Sequence, residues 1–251
     1  MIRRAQDQRW ILLSQVDHAL LAGQLAETWG REPLEPLSAE LAAAISHHDD
    51  GWSDWERRPK VDPLEGRPIA FTEMDLAEAR NIWRGSIAAA QRIGPLAAHS
   101  VAGHFSAILS WYGSWKSDPQ RRPLALDFLA EQQRNMQAWS AAWLAADPPN
   151  HTPDDLARGL AYLQMFDALS LWLCTADRDQ PQTFATPQGT DVSFAPISTA
   201  RFTATPWPFR ADRLDLAITG RAVPVRRYTS DIDLAQAPSE QMRLEFAFAP
   251  G

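Results

Sequence analysis

The chain has 251 residues, and 24 Lys+Arg against 31 Asp+Glu leave a formal charge of −7, with 45% hydrophobic and 22% charged residues. That acidic balance excludes a general nucleic-acid surface, which needs a basic stripe to displace counterions. A chain of this length buries a core without disulfide or metal staples, as one domain or two. The single cysteine, Cys174, admits no internal disulfide and points to a reducing, cytoplasmic setting.

The run from Met1 to Arg9 leads into only four apolar residues, Trp10 to Leu13, too few for a signal-peptide core or a membrane span. Apolar residues at helical spacing predict helices over 14–29, 38–49, 75–93, 95–112, 124–146 and 153–176. Ser14 and Ser38 are suited to cap their helices, and Thr152-Pro153-Asp154-Asp155 supplies a cap, a first-turn proline and two acids. Gly30, Gly51, Gly113 and the Asp147-Pro148-Pro149-Asn150 break are the stops. From Gly51 to Thr72, Pro59, Pro63, Gly66 and Pro68 interrupt any period, so a long loop is expected. Past about residue 180 the alternation Leu214, Leu216, Ile218 and Met242, Leu244, Phe246, Phe248 predicts strands, with Pro206-Trp207-Pro208-Phe209 and Gly220 between them. The expected architecture is mainly α: a helical domain over 1–180 and a small β-rich extension over 181–251 packed on it, since a few strands need a helical layer.

Six histidines stand against eleven tryptophans, and helical faces sort the histidines unequally. At about 100° per residue, His18 falls with Leu21, Ala22, Leu25 and Trp29, and His48 with Leu41, Ala44 and Ile45, with Asp49 beside that stripe. His104 lies at the edge of the Ala98, Val101, Phe105, Ile108 and Tyr112 stripe, whereas His47 and His99 face away. Asp167 points with Leu156, Leu160, Leu163, Leu171 and Cys174. A carboxylate aimed into a core must find a cation, a hydrogen-bond network or a metal. One shared metal centre accounts for the inward set His18, His48, Asp49, His104 and Asp167.

The order of these residues resembles the HD superfamily of metal-dependent phosphohydrolases: His18, then His48-Asp49-Asp50-Gly51, then Asp167 within Gln164-Met165-Phe166-Asp167-Ala168-Leu169. The likeness covers roughly residues 10 to 178. More closely, His48-Asp49-Asp50-Gly51-Trp52-Ser53-Asp54-Trp55-Glu56, with Pro59, Gly66-Arg67-Pro68, Phe71 and the Pro206-Trp207-Pro208-Phe209 tail, resembles an uncharacterised bacterial family of HD-like proteins. The resemblance implies an HD-like helical bundle, all-α in its core, whose His18, His48, Asp49 and Asp167 bind a divalent ion. His104 is similar to the additional histidine of dinuclear members, and Asp49 would bridge if two ions bind. Imidazole and carboxylate ligands suit Mn, Fe, Ni, Co or Zn.

The reaction implied is hydrolysis of a small phosphorylated, nucleotide-like substrate by metal-activated water, with Asp49 and Asp50 as catalytic carboxylates, Asp50 alternatively capping the helix end. HD hydrolases often place a lysine after the glycine of the motif, whereas Trp52 follows Gly51. Arg57, Arg67 and Arg84, with Arg58 and Lys60, are the cations left to hold a phosphate. Trp52 and Trp55, with Trp29, Phe71 and Trp83, are candidates to wall an apolar pocket. Two other readings stay open: an HD-type di-iron oxygenase, and a non-catalytic metal- or ligand-binding module. The expected partner is a small molecule, with neither nucleic acid nor membrane, and a homo-oligomer is compatible.

Overall fold

A computed structural model describes residues 1–175 and 179–251. The chain opens on a hairpin, β1 (Ile2–Gln6) and β2 (Arg9–Leu13). Asp7 and Gln8 between them both take positive φ, 48° and 62°, the conformation of a two-residue turn that matches strand twist. Five helices of ordinary length follow: α1 (Gln15–Thr28), α2 (Ala39–Ser46), then, after a short α3 (Ser53–Glu56), α4 (Leu76–Ile93), α5 (Pro95–Trp111) and the longer α6 (Arg121–Ala146). Last in the helical layer is α7 (Pro153–Cys174); the expected end of that helix at residue 176 lies outside the described residues. The remainder is β3 (Gln182–Ala185), β4 (Asp191–Ser198), β5 (Arg201–Thr205), β6 (Leu214–Pro224), a short α8 (Asp231–Ala235) and β7 (Glu240–Pro250).

The strands form one curled sheet of seven, in the order β1-β2-β6-β7-β5-β4-β3, antiparallel except for the parallel pair β5–β7. This overturns the expectation of a mainly α bundle with a small β appendage: the protein is 50% helix and 21% strand, and both ends of the chain build the sheet. The N-terminal hairpin joins through β2, whose Ile11 pairs with Ala222 of β6. The sheet's inner face is continuous with the helical core. Ile11, Leu13, Ile218, Phe246 and Phe248 share one buried cluster with Leu21 and Leu25 of α1, Phe105 of α5 and Phe166 of α7. Trp29, fully buried, meets Phe166 and Phe209 edge-on at 5.2 and 5.8 Å, so it locks the two layers rather than lining a pocket.

Local chemistry fixes the elements that carry the site. Ser14 and Ser38 accept from the backbone N–H of Asp17 and Leu41, and Thr152 with Asp155 forms a reciprocal capping box behind Pro153. Helix α2 stops at Ser46, earlier than its apolar stripe predicts, because His47 leaves helical geometry at φ −117°, ψ 12°. His48 and Asp49 therefore sit on a turn beyond the helix. That turn is pressed against α4 at Gly51, where a Cβ would come within 2.1 Å of the Ile82 carbonyl oxygen and 2.5 Å of the Ser86 nitrogen. Only glycine permits that approach, and the Gly51 N–H donates to Ser86 Oγ at 3.1 Å.

Candidate metal centre

Four elements converge where helix α1, the turn after α2, helix α5 and helix α7 meet. They bring together His18, His48, Asp49, His104 and Asp167, with His18 and His48 wholly buried. His18 Nε2 lies 3.3 Å from Asp167 Oδ1 and 3.4 Å from Asp49 Oδ2. His48 Nε2 lies 3.3 Å from the same Asp167 oxygen and 3.6 Å from Asp49 Oδ2. These separations match the ~3.3 Å edge of a tetrahedron around an ion with bonds of about 2.0–2.1 Å. Donor atoms of His18, His48 and Asp167 all lie within 4.8 Å of one another.

The far nitrogens fix which way each imidazole presents its lone pair. His48 Nδ1 lies 2.7 Å from the Ile45 carbonyl oxygen, which only accepts, so Nδ1–H donates. Ser170 Oγ spends its one proton on the Asp167 carbonyl at 3.0 Å, so it accepts from His18 Nδ1–H at 2.8 Å. Both Nε2 atoms are then left facing the carboxylate oxygens of Asp49 and Asp167 at 3.3–3.6 Å, buried and with no hydrogen bond of ordinary geometry. An unprotonated Nε2 would set its lone pair against an anion, so positive charge belongs here, either a metal ion or protons on the imidazoles. This is the support pattern of ligating histidines, whose second nitrogen donates to a carbonyl or similar acceptor.

Without a metal that cation is a proton. Burial depresses the His48 imidazolium, but the Asp49 and Asp167 carboxylates facing it outweigh that and lift the group to about 9. His18 is raised against burial by the facing carboxylates of Asp167 and Asp49. Burial disfavours the Asp167 anion, yet His18 and His48 hold its pKa well below the usual carboxylate range. His104 differs: burial, aided by His48 and opposed by Asp167, pushes it down to about 4, so it is neutral at pH 7. Its Nε2 stands 3.8 Å from Asp167 Oδ2 and its Nδ1 is buried without a partner. His104 flanks the tetrahedral set rather than completing it.

The centre floors a cavity of about 400 Å³. Asp49, His104 and Asp167 form its polar end, and Trp52, Phe71, Met74, Trp83, Phe105, Ile108, Leu109 and Trp115 wall it, with exposed Trp111 and Tyr112 at the rim. Trp52 also donates its indole N–H to Asp49 Oδ1 at 3.1 Å, which leaves Oδ2 turned to the centre. Trp55 does not line the cavity but backs Trp52 edge-on at 5.7 Å.

The remaining candidates lie elsewhere. Asp50 faces His47 Nδ1 at 3.1 Å, outside the cluster. Arg57 pairs with Asp54, Arg67 with Glu73, and Arg84 with Glu131 at 2.6 Å. None of these three guanidiniums lines the cavity; of the residues that do, only Arg121 is a cation. Sequence reasoning missed Ser170 and the walls Met74 and Trp115. Ser170 stands one turn past Asp167, a polar residue on the inward stripe, and that was the available signal.

The chain matches, over residues 1–225, the family described as Protein of unknown function (DUF3891), and it belongs to that family. No curated protein and no solved structure matches it. The HD resemblance is thereby corrected: the family matched along the chain is a different one, and its span takes in β1 to β6 of a sheet that an HD-like, all-α bundle lacks. The hydrolase assignment that came with the resemblance loses its support. The His/Asp geometry stands independently of it.

Proposed function

We propose that this DUF3891 member is a metal-dependent enzyme that holds one divalent transition-metal ion through His18, His48, Asp167 and Asp49 and acts on a small, largely apolar molecule. The carrying observation is the pair of buried imidazole Nε2 atoms, each oriented by a hydrogen bond at Nδ1 and turned on Asp167 Oδ1 at 3.3 Å, at the floor of an aromatic cavity. Two imidazoles and two carboxylates suit divalent Fe, Mn or Zn. The ion would supply Lewis acidity and an activated water or oxygen site. The protein's own residues hold the substrate body among Trp83, Phe105 and Trp115 and exclude bulk water from its polar end. His104, beside Asp167, lines the polar end of the cavity.

Arg57, Arg67 and Arg84 are paired outside the cavity and Arg121 is the one cation among its lining residues, which argues against a phosphate as the principal recognition feature. The phosphohydrolase expectation therefore becomes one arm of the test. Protein loaded with Fe(II), Mn(II) or Zn(II) is assayed for oxygen uptake with small aromatic substrates and for phosphate release from aryl phosphates. The proposal expects turnover in one arm that disappears in Asp167→Asn; no metal-dependent turnover in any arm, with metal bound, would leave a binding module.

A further inference from the structure

Helix α5 runs the depth of the cavity, from His104 at the polar end to Trp111 and Tyr112 at the exposed rim. At a rise of about 1.5 Å per residue, the helix from His104 to Trp111 makes the cavity about 10 Å deep. The wall between, Phe105, Ile108 and Leu109, is apolar. Arg121 borders the cavity at its open end: it is exposed, and the turn that the Asp118 N–H closes on the Trp115 carbonyl at 3.2 Å carries the chain from the cavity wall to it. Its charge is only loosely matched. Asp118 is occupied as the cap of α6, its Oδ1 accepting from the Gln120 and Arg121 N–H groups at 2.8 and 3.1 Å, and its Oδ2 reaches Arg121 Nε only at 3.5 Å. Among the described residues, nothing accepts a hydrogen bond from the two terminal nitrogens of that guanidinium.

We infer that Arg121 is a specificity-determining residue that receives a carboxylate at the cavity mouth, and that the ligand is an elongated apolar acid whose other end meets the metal centre. The charged residues on the lining are Asp49, Asp167 and Arg121. A divalent ion neutralises the two carboxylates at the floor, which leaves Arg121 as the one charge on the lining without a close counterion. The terminal edge of a guanidinium presents parallel N–H donors that fit both oxygens of one carboxylate. A single such fork matches a monoanion. The apolar body of the ligand then lies along Phe105, Ile108 and Leu109, over the depth that separates the two polar ends. The inference rests on the proposed metal centre for the far end of the ligand, but the contact to Arg121 is separate from it.

The test uses two probes of one shape, 4-phenylbutyrate and its uncharged amide 4-phenylbutanamide, titrated by calorimetry against full-length protein with and without Zn(II), with metal content measured on the same samples. The wild type is expected to favour the carboxylate by about tenfold at low ionic strength, the worth of one charge-assisted hydrogen bond in a partly exposed place. Salt should erode that preference, because the guanidinium is open to screening. Arg121→Gln is expected to lose the preference while keeping its metal and its affinity for the amide, and Arg121→Lys, which keeps the charge without the fork, to retain part of it. A preference undiminished in Arg121→Gln overturns the inference, since the carboxylate would then sit on the ion. Equal affinity of the two probes in the wild type overturns it too, as does the absence of saturable binding of either at millimolar concentration. A preference that depends on Arg121 in protein that takes up no metal would support this reading and contradict the metal centre.

Discussion

The inward His/Asp cluster and the arginines around the 51–84 segment carry the same kinds of charge but in opposite states. The cluster is buried, its imidazoles are oriented by Ser170 and Ile45, and their Nε2 atoms face the Asp49 and Asp167 carboxylates. Arg57, Arg67 and Arg84 each already meet a carboxylate at the surface. Functional potential lies with the groups the fold orients and then leaves unmatched. A satisfied surface pair is worth little and asks for no ligand.

The largest effect expected from this contrast is at the cluster itself. Asp167→Asn, nearly isosteric, and His18→Ala should each weaken metal binding by more than about a hundredfold, beyond what loss of a supporting residue does. Isothermal titration with Zn(II) measures it. Ser170→Ala comes next: with the 2.8 Å acceptor for His18 Nδ1 gone, affinity should fall about 10- to 100-fold, with the fold unchanged by circular dichroism. An unchanged affinity would remove the tautomer argument. Arg84→Gln, in the other region, should leave metal content untouched and shift stability by less than about 1 kcal/mol in urea unfolding.

The smallest effect is one of pH. Burial would raise the Glu73 carboxyl, but its hydrogen bonds to Arg3, the Ala70 N–H and Arg67 outweigh that and hold it at about 2. Its folded pKa is below the ordinary 4.5, so its contribution is complete above 4.5 and is lost as pH falls through about 2. Glu73→Gln should therefore lower the urea midpoint slightly at pH 7, and the difference from wild type should shrink between pH 4.5 and 2.

Much of the helical layer was legible because its signals are local. Ser14, Ser38 and Thr152-Pro153 are caps that act within one turn, and the faces of His18 and Asp167 follow from a 3.6-residue period. His48 and Asp49 were read on the right face but on the wrong element, since α2 ends two residues before His48 for a reason, the Gly51 approach to α4, that is tertiary. The sheet was underestimated on similar grounds. β1 is Ile-Arg-Arg-Ala-Gln and its turn is Asp7-Gln8 without glycine, so neither alternation nor turn chemistry marks the hairpin. The β5–β7 pairing is parallel and non-local. The cavity gathers Phe71, Trp83, Phe105 and Trp115 from distant segments, and no window of sequence contains that wall. No helix among the described residues is long and apolar enough to cross a membrane.

The most direct measurement is metal stoichiometry. Protein is purified without chelator, exposed to Fe(II), Mn(II) or Zn(II), dialysed, and analysed for bound ion, with X-ray absorption reporting the ligands. The account predicts one ion per chain with two imidazole nitrogens and carboxylate oxygen in its shell, absent from Asp167→Asn. A wild-type chain that takes up none of the three ions would contradict it, leaving a proton as the cation between His18, His48 and Asp167.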